Sequence, residues 1–174
     1  MRVAAATEIY RKGRAPADRV AYHWWTDAQF SALFGANPVV TVGLAVRRPT
    51  FAKIRDANGA PPLSQVPPDQ DAEEFELHFP ASIALDVLTS REPEGQGAIA
   101  RYLAKFGEGV QQVEFRCTDV DRATEILRNK FKIQPIYPQT RQGAGDTRVN
   151  FFLVPVPDSG KVLLEFYELP RSRK

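Results

Sequence analysis

The chain has 174 residues, room for one domain or two small modules that share a core, and its 43% hydrophobic and 25% charged residues are ordinary for a soluble globular protein. A net charge of +2 is too small to argue for nucleic acid as a partner. No stretch approaches the roughly 20 apolar residues of a membrane span, and the single cysteine, Cys117, excludes an internal disulfide framework. The opening Met1-Arg-Val-Ala-Ala-Ala lacks the apolar core of a secretory signal. A soluble, cytoplasmic protein is expected, with Cys117 as a buried structural thiol on the apolar face of a strand.

Residues 1–38 read as an N-terminal extension. Thr26-Asp-Ala-Gln29 has the form of a capping box, and Phe30, Leu33 and Phe34 follow at helical spacing before Gly35. Trp24 and Trp25 are expected to anchor this extension on the rest of the molecule, with His23 as a polar neighbour. Val39 to Val46 reads as a strand, and Pro49 to Asn58 as a short helix with proline in its first turn and Gly59 past its end. Pro61-Pro62 and Pro67-Pro68 mark a loop or irregular edge, because proline has no N–H for a sheet ladder.

Glu73 to Phe79 alternates, with Glu74, Glu76 and His78 on one face and Phe75, Leu77 and Phe79 on the other. Ile83 to Leu88 likewise sets Ala84 and Asp86 opposite Ile83, Leu85 and Val87. Gln96 to Phe106 is a helix ended by Gly107. The order then recurs: a strand with Gln112, Glu114 and Arg116 on one face and Val113, Phe115 and Cys117 on the other, a helix from Asp119 to Arg128, and further strands near Gly143–Phe152 and Gly160–Tyr167. Glu165 is an acid inside an otherwise apolar strand. The basic end Arg171-Ser-Arg-Lys174 reads as solvated.

The segments GEGVQQVEF, GAGDTRVNFF and SGKVLLEFYE, in the order strand, helix, three strands, resemble the second module of the vicinal oxygen chelate (glyoxalase/bleomycin-resistance) superfamily, and within it the methylmalonyl-CoA epimerases. The resemblance implies an α+β fold of paired βαβββ modules forming a curved, incompletely closed eight-stranded barrel. Residues 39–90 would be the first module, 91–108 the linking helix, and 109–174 the second module and tail. It further implies a homodimer and a small-molecule substrate or ligand, an acyl-CoA among the candidates.

If the polar strand faces meet in a common cleft, its candidates are Thr41, Glu74, Glu76, His78, Asp86, Gln112, Glu114, Arg116, Asn150 and Glu165. So many acids together must be solvated, paired or metal-bound. The resembled family places a divalent metal there, and residue by residue its ligand positions fall on Thr41, on Ala84 or Asp86, on Gln112 and on Glu165. Asp86, Gln112 and Glu165 form an oxygen-only set that favours magnesium or manganese, with calcium and cobalt as further candidates, over zinc. A polar cleft satisfied by hydrogen bonds and water is the alternative.

The chemistry implied by the resemblance is proton abstraction next to a thioester or ketone, giving epimerisation or lyase chemistry. Glu165 would act in proton transfer, with Glu74 or Glu76 as the opposing acid or base; the plain alternative for the last two is solvation on an edge strand. The loop with Gly143, Gly145 and Arg148 would approach a phosphate or thioester, or is a plain hairpin. Two further readings stand beside the enzyme: a metal-free small-molecule-binding protein on the same fold, and a structural subunit that docks through its Trp-bearing extension.

Overall fold

A computed structural model of the chain describes residues 1–170; Arg171 to Lys174, read above as a solvated end, lie outside the described residues. The elements in order are α1 (Val3–Ala21), a 3-10 turn (Trp24–Thr26), α2 (Ala28–Ser31), β1 (Val40–Ala45), α3 (Arg48–Asp56), β2 (Glu73–Phe79) and β3 (Ile83–Thr89). There follow α4 (Ala98–Phe106), β4 (Gly109–Arg116), α5 (Val120–Lys130), β5 (Arg141–Gln142), a second 3-10 turn (Ala144–Asp146), β6 (Arg148–Pro155) and β7 (Lys161–Glu168). No described helix is long and apolar enough to cross a membrane.

The strands form one curled sheet in the order β2-β3-β1-β4-β7-β6-β5. In the middle, β1 and β4 run antiparallel; outward from them β1 pairs β3 and β4 pairs β7 in parallel, and β2 and β6 return antiparallel. The two arms therefore share one connectivity. The expected eight strands number seven in this sheet, and the shortfall lies between α3 and β2, where four prolines remove ladder donors. That segment instead bridges the two sheet edges. Ser64 N–H donates to the Glu74 carbonyl on β2, Gly145 N–H to the Gln65 carbonyl and Gln70 Nε2 to the Gln142 carbonyl on β5 (2.8 Å), while Arg141 pairs with Asp69 at 3.2 Å.

One face of the sheet packs on α1, α3 and α5. Its core is aromatic: Phe115 stacks on Phe166 at 5.4 Å, and Phe152, Phe30 and Phe34 pack edge-on to Phe166. The extension thus supplies core residues. Trp24 and Trp25 reach Phe30 and Phe115 as expected of anchors, and His23 is exposed. The cap of α2 is Asp27, whose side chain accepts from Gln29 and Phe30 N–H, and not Thr26, whose hydroxyl donates to the His23 carbonyl to close its own turn.

Helix α1 was not legible as an element. Its buried stripe is Ala6, Gly13, Ala17 and Ala21, small residues that let the backbone approach the sheet; a Cβ on Gly13 would lie 2.7 Å from Val42 Cγ1. Cys117 is buried, and burial raises its thiol pKa to about 12, which makes it a poor nucleophile.

Candidate functional site

The opposite face of the sheet is concave, and α4 closes one end of it through Ile99 and Leu103, which pack on Ala45 and Leu88. The resulting cleft has a volume of about 570 Å³, the size of a small organic ligand. Alternation places Glu74 and Glu76 on one wall, Asp86 beside them, and Gln112, Glu114, Glu165 and Tyr167 on the other. Gly43 sits between Asp86 and Gln112 in the register. A side chain there would strike Gln112 Cγ at 2.5 Å, so the glycine makes room for Gln112 to lie across β1.

A bulge brings in one more group. Gly43 pairs with Gln112 but Leu44 pairs with Val110, so Gln111 is an extra residue and lines the cleft together with Gln112. No alternation rule anticipates it.

Gln112 Nε2 donates to Glu165 Oε2 at 2.8 Å and to Glu114 Oε1 at 3.0 Å. One neutral amide therefore serves two carboxylates. Glu114 and Asp86 are buried, and Glu165 is half-buried with its carboxylate set into the cleft. Burial, and then repulsion from neighbouring acids, raises all of these acids: Glu74 to about 7, Glu114 to about 8 despite its bond from Gln112, and Asp86 and Glu165 well above the ordinary carboxylate range. Asp86 feels Glu74, Glu114, Glu76 and Glu165 together. Its Oδ1 and Gln111 Oε1 are buried atoms without a hydrogen-bond partner.

The other sequence candidates fall elsewhere. Thr41 is buried opposite Glu114 in the ladder, and His78 stands exposed on the edge strand, 2.8 Å from Glu76. Arg116 is exposed at the end of β4. Asn150 faces the helix side of the sheet, where its amide donates to the Tyr137 carbonyl, because it shares parity with the core residue Phe152. Arg148 shares that parity too. Expected to meet an anionic group in the cleft, it is instead bonded to Asp121 at 2.5 Å, Thr140 at 2.8 Å and Glu168 at 3.1 Å. Buried Glu168 also accepts the first N–H of α5, Val120, at 2.8 Å, a carboxylate at a helix N-terminus that sequence reasoning missed. Of the glycines, Gly143 lines the cleft, whereas Gly145 gives its N–H to Gln65.

The set Asp86, Gln112 and Glu165 does not fit a divalent ion as it stands. An amide nitrogen fills the gap between Glu165 and Glu114, and among the described residues no three acids, histidines or cysteines converge on one point.

The sequence matches no family model and no curated protein. Solved structures do match. Methylmalonyl-CoA epimerase from Mycobacterium tuberculosis superposes with a TM-score of 0.61 at 27% identity, over 78% of this chain and 93% of that one. A Streptomyces coelicolor methylmalonyl-CoA epimerase variant in complex with 2-nitronate-propionyl-CoA gives 0.61 at 22% identity, over 78% and 99%. A methylmalonyl-CoA epimerase in complex with methylmalonyl-CoA and NH4+ gives 0.60 at 22%, over 79% and 97%. The chain carries the vicinal oxygen chelate (glyoxalase) fold and is close in structure to the methylmalonyl-CoA epimerases.

Proposed function

We propose that the cleft moves a proton on a carbon next to a ketone or thioester carbonyl of a small molecule, as an isomerase or lyase. The observation that carries this reading is the pair of acidic walls, Glu74 and Glu76 across from Glu114 and Glu165, in which burial raises Glu74 to about 7, Glu114 to about 8 and Glu165 well above the ordinary carboxylate range. A base works best when its pKa lies near the ambient pH, and a carboxylic acid kept neutral can donate a hydrogen bond to a developing enolate. Glu74, raised to about 7, is the group that is part ionised at neutral pH. It removes the proton; the C–H electron pair moves toward the carbonyl oxygen as the enolate forms. Glu165, whose burial favours its protonated form, then returns a proton to the carbon from the other wall, and the two residues exchange roles for the opposite enantiomer. Gln112 is a positioning residue that orients Glu165, and Gly143 gives the carbonyl end close backbone contact.

No step is routed through a metal, because Gln112 turns its amide nitrogen to Glu165 and, among the described residues, no three acids, histidines or cysteines converge on one point. The test is exchange of α-protons in deuterated water, followed by proton NMR over a panel of small ketones and acyl thioesters. Exchange of one class, slowed about a hundredfold or more in both Glu74→Gln and Glu165→Gln, supports the reading. Exchange that both variants leave unchanged overturns it. Saturable binding of these compounds without exchange identifies the second reading, a binding protein on the same fold, which the unpartnered Asp86 and Gln111 acceptors also favour.

A further inference from the structure

The cleft is unbalanced in charge. Among the described residues its lining acids, on β2, β3, β4, β7 and the segment before β2, outnumber its two arginines: Arg101 is exposed on α4, and Arg141 is engaged by Asp69 and lies over the Tyr137 ring at 4.6 Å. Asp86 retains 5% of its surface, yet its Oδ1 meets no donor, and the cleft-lining Gln111 Oε1 is a second orphaned acceptor. Buried acceptors left without donors are costly, so an occupant that brings donors is favoured over one that brings acceptors.

We propose that the cleft takes a small organic ligand bearing a protonated amine, with the ammonium seated at Asp86, Gln111 and Glu165 and an apolar body against Tyr137, Phe151 and Leu163. The inference rests on reading this cleft as the ligand site and narrows its substrate class. An ammonium offers three N–H donors to the acceptors that lack them, and its charge offsets the mutual repulsion of the acids. A carboxylate-bearing ligand would bring further acceptors to Asp86 and Gln111, whose own acceptors already lack donors, and would oppose ionisation of the surrounding acids. A bare divalent ion fits less well, because Gln112 already turns its amide nitrogen to Glu165 and Glu114 and, among the described residues, no three acids, histidines or cysteines converge on one point. The aromatic and apolar lining, which an ion would not use, suits the carbon skeleton of an organic cation.

Three probes of one shape decide it: 2-phenylethylammonium, 2-phenylethanol and 3-phenylpropanoate, titrated by calorimetry at neutral pH into the intact chain. The ammonium should bind at least about tenfold tighter than the alcohol, and the carboxylate weakest. In Asp86→Asn, a same-shape variant whose fold is checked by circular dichroism, the ammonium-to-alcohol ratio should collapse toward one. The proposal is overturned if the carboxylate binds as tightly as the ammonium, if the ratio survives in Asp86→Asn, or if none of the three binds at millimolar concentration. It is also overturned if manganese chloride binds tightly, displaces the ammonium and loses its site in the variant. These are binding measurements alone, so their failure leaves the proton-transfer reading standing, and absence of α-proton exchange leaves this one standing.

Discussion

At the scale of single residues, the acid cluster ties function to stability. Each raised carboxyl is more readily protonated in the folded chain than in the unfolded one, so its contribution to stability is full below its unfolded pKa and is lost as pH rises through its folded pKa. For Glu74 and Glu114 that window runs from the ordinary carboxylate range up to about 7 and about 8. Thermal stability should therefore fall between about pH 5 and pH 8, opposite in sign to a protein held together by ion-paired acids. Glu114→Gln keeps the side-chain shape and removes the charge. It should be neutral at pH 5 and stabilising by about 2 kcal/mol at pH 8, measured by urea unfolding at both values. A variant that is destabilised equally at both would show that Glu114 is ionised and held by its bond from Gln112.

At the scale of elements, the N-terminal extension behaves as core. Trp24, Phe30 and Phe34 are buried against Phe131 and Phe166, Trp25 packs on Phe115, and Leu33 and Thr118 are joined through the backbone. Burial of each large side chain is worth about 1.5–3 kcal/mol, so removing three of them reaches the whole stability of a typical domain, about 5–15 kcal/mol. A chain lacking residues 1–38 should lose its near-ultraviolet circular dichroism and aggregate; a soluble, cooperatively unfolding product would make the extension dispensable. Sequence periodicity reveals elements whose buried side chains are large and whose other face is polar, which is why β2, α4, β4 and β7 were legible with the cleft residues Glu74, Asp86, Gln112 and Glu165. It missed α1, whose buried face is alanine and glycine and whose course includes Pro16. It misplaced Asn150 because the following Phe151-Phe-Leu-Val154 is apolar on both faces, so parity has nothing to count. Gln111 escaped because a bulge resets parity in mid-strand.

At the scale of the whole molecule, the two arms of the sheet are closed by the proline-bearing segment from Gly59 to Asp71 in place of a further strand. The closure consists of a few backbone bonds, the amide of Gln70 and the exposed Arg141–Asp69 pair, whereas the centre of the sheet is a continuous β1–β4 ladder over a buried core. Exposed ion pairs contribute about 0–1 kcal/mol, and segments with few buried contacts open locally at a small fraction of the global stability. Hydrogen exchange should accordingly be fast at the Ser64 and Gly145 amides, which join the segment to the two edges, and slowest at Val42, Val113 and Phe115. Because the same segment carries Asp69, Gln70 and Asp71 along the cleft, an occupant that touches both walls should slow exchange at Gly145 without altering the centre. Arg141→Ala should speed exchange at Gly145 several-fold while shifting global stability by under about 1 kcal/mol. Mass-spectrometric exchange with and without 2-phenylethylammonium reads both effects. Equal protection at Gly145 and at Val113 would mean that the segment is as firmly held as a ladder strand, and that ligands reach the cleft without its opening.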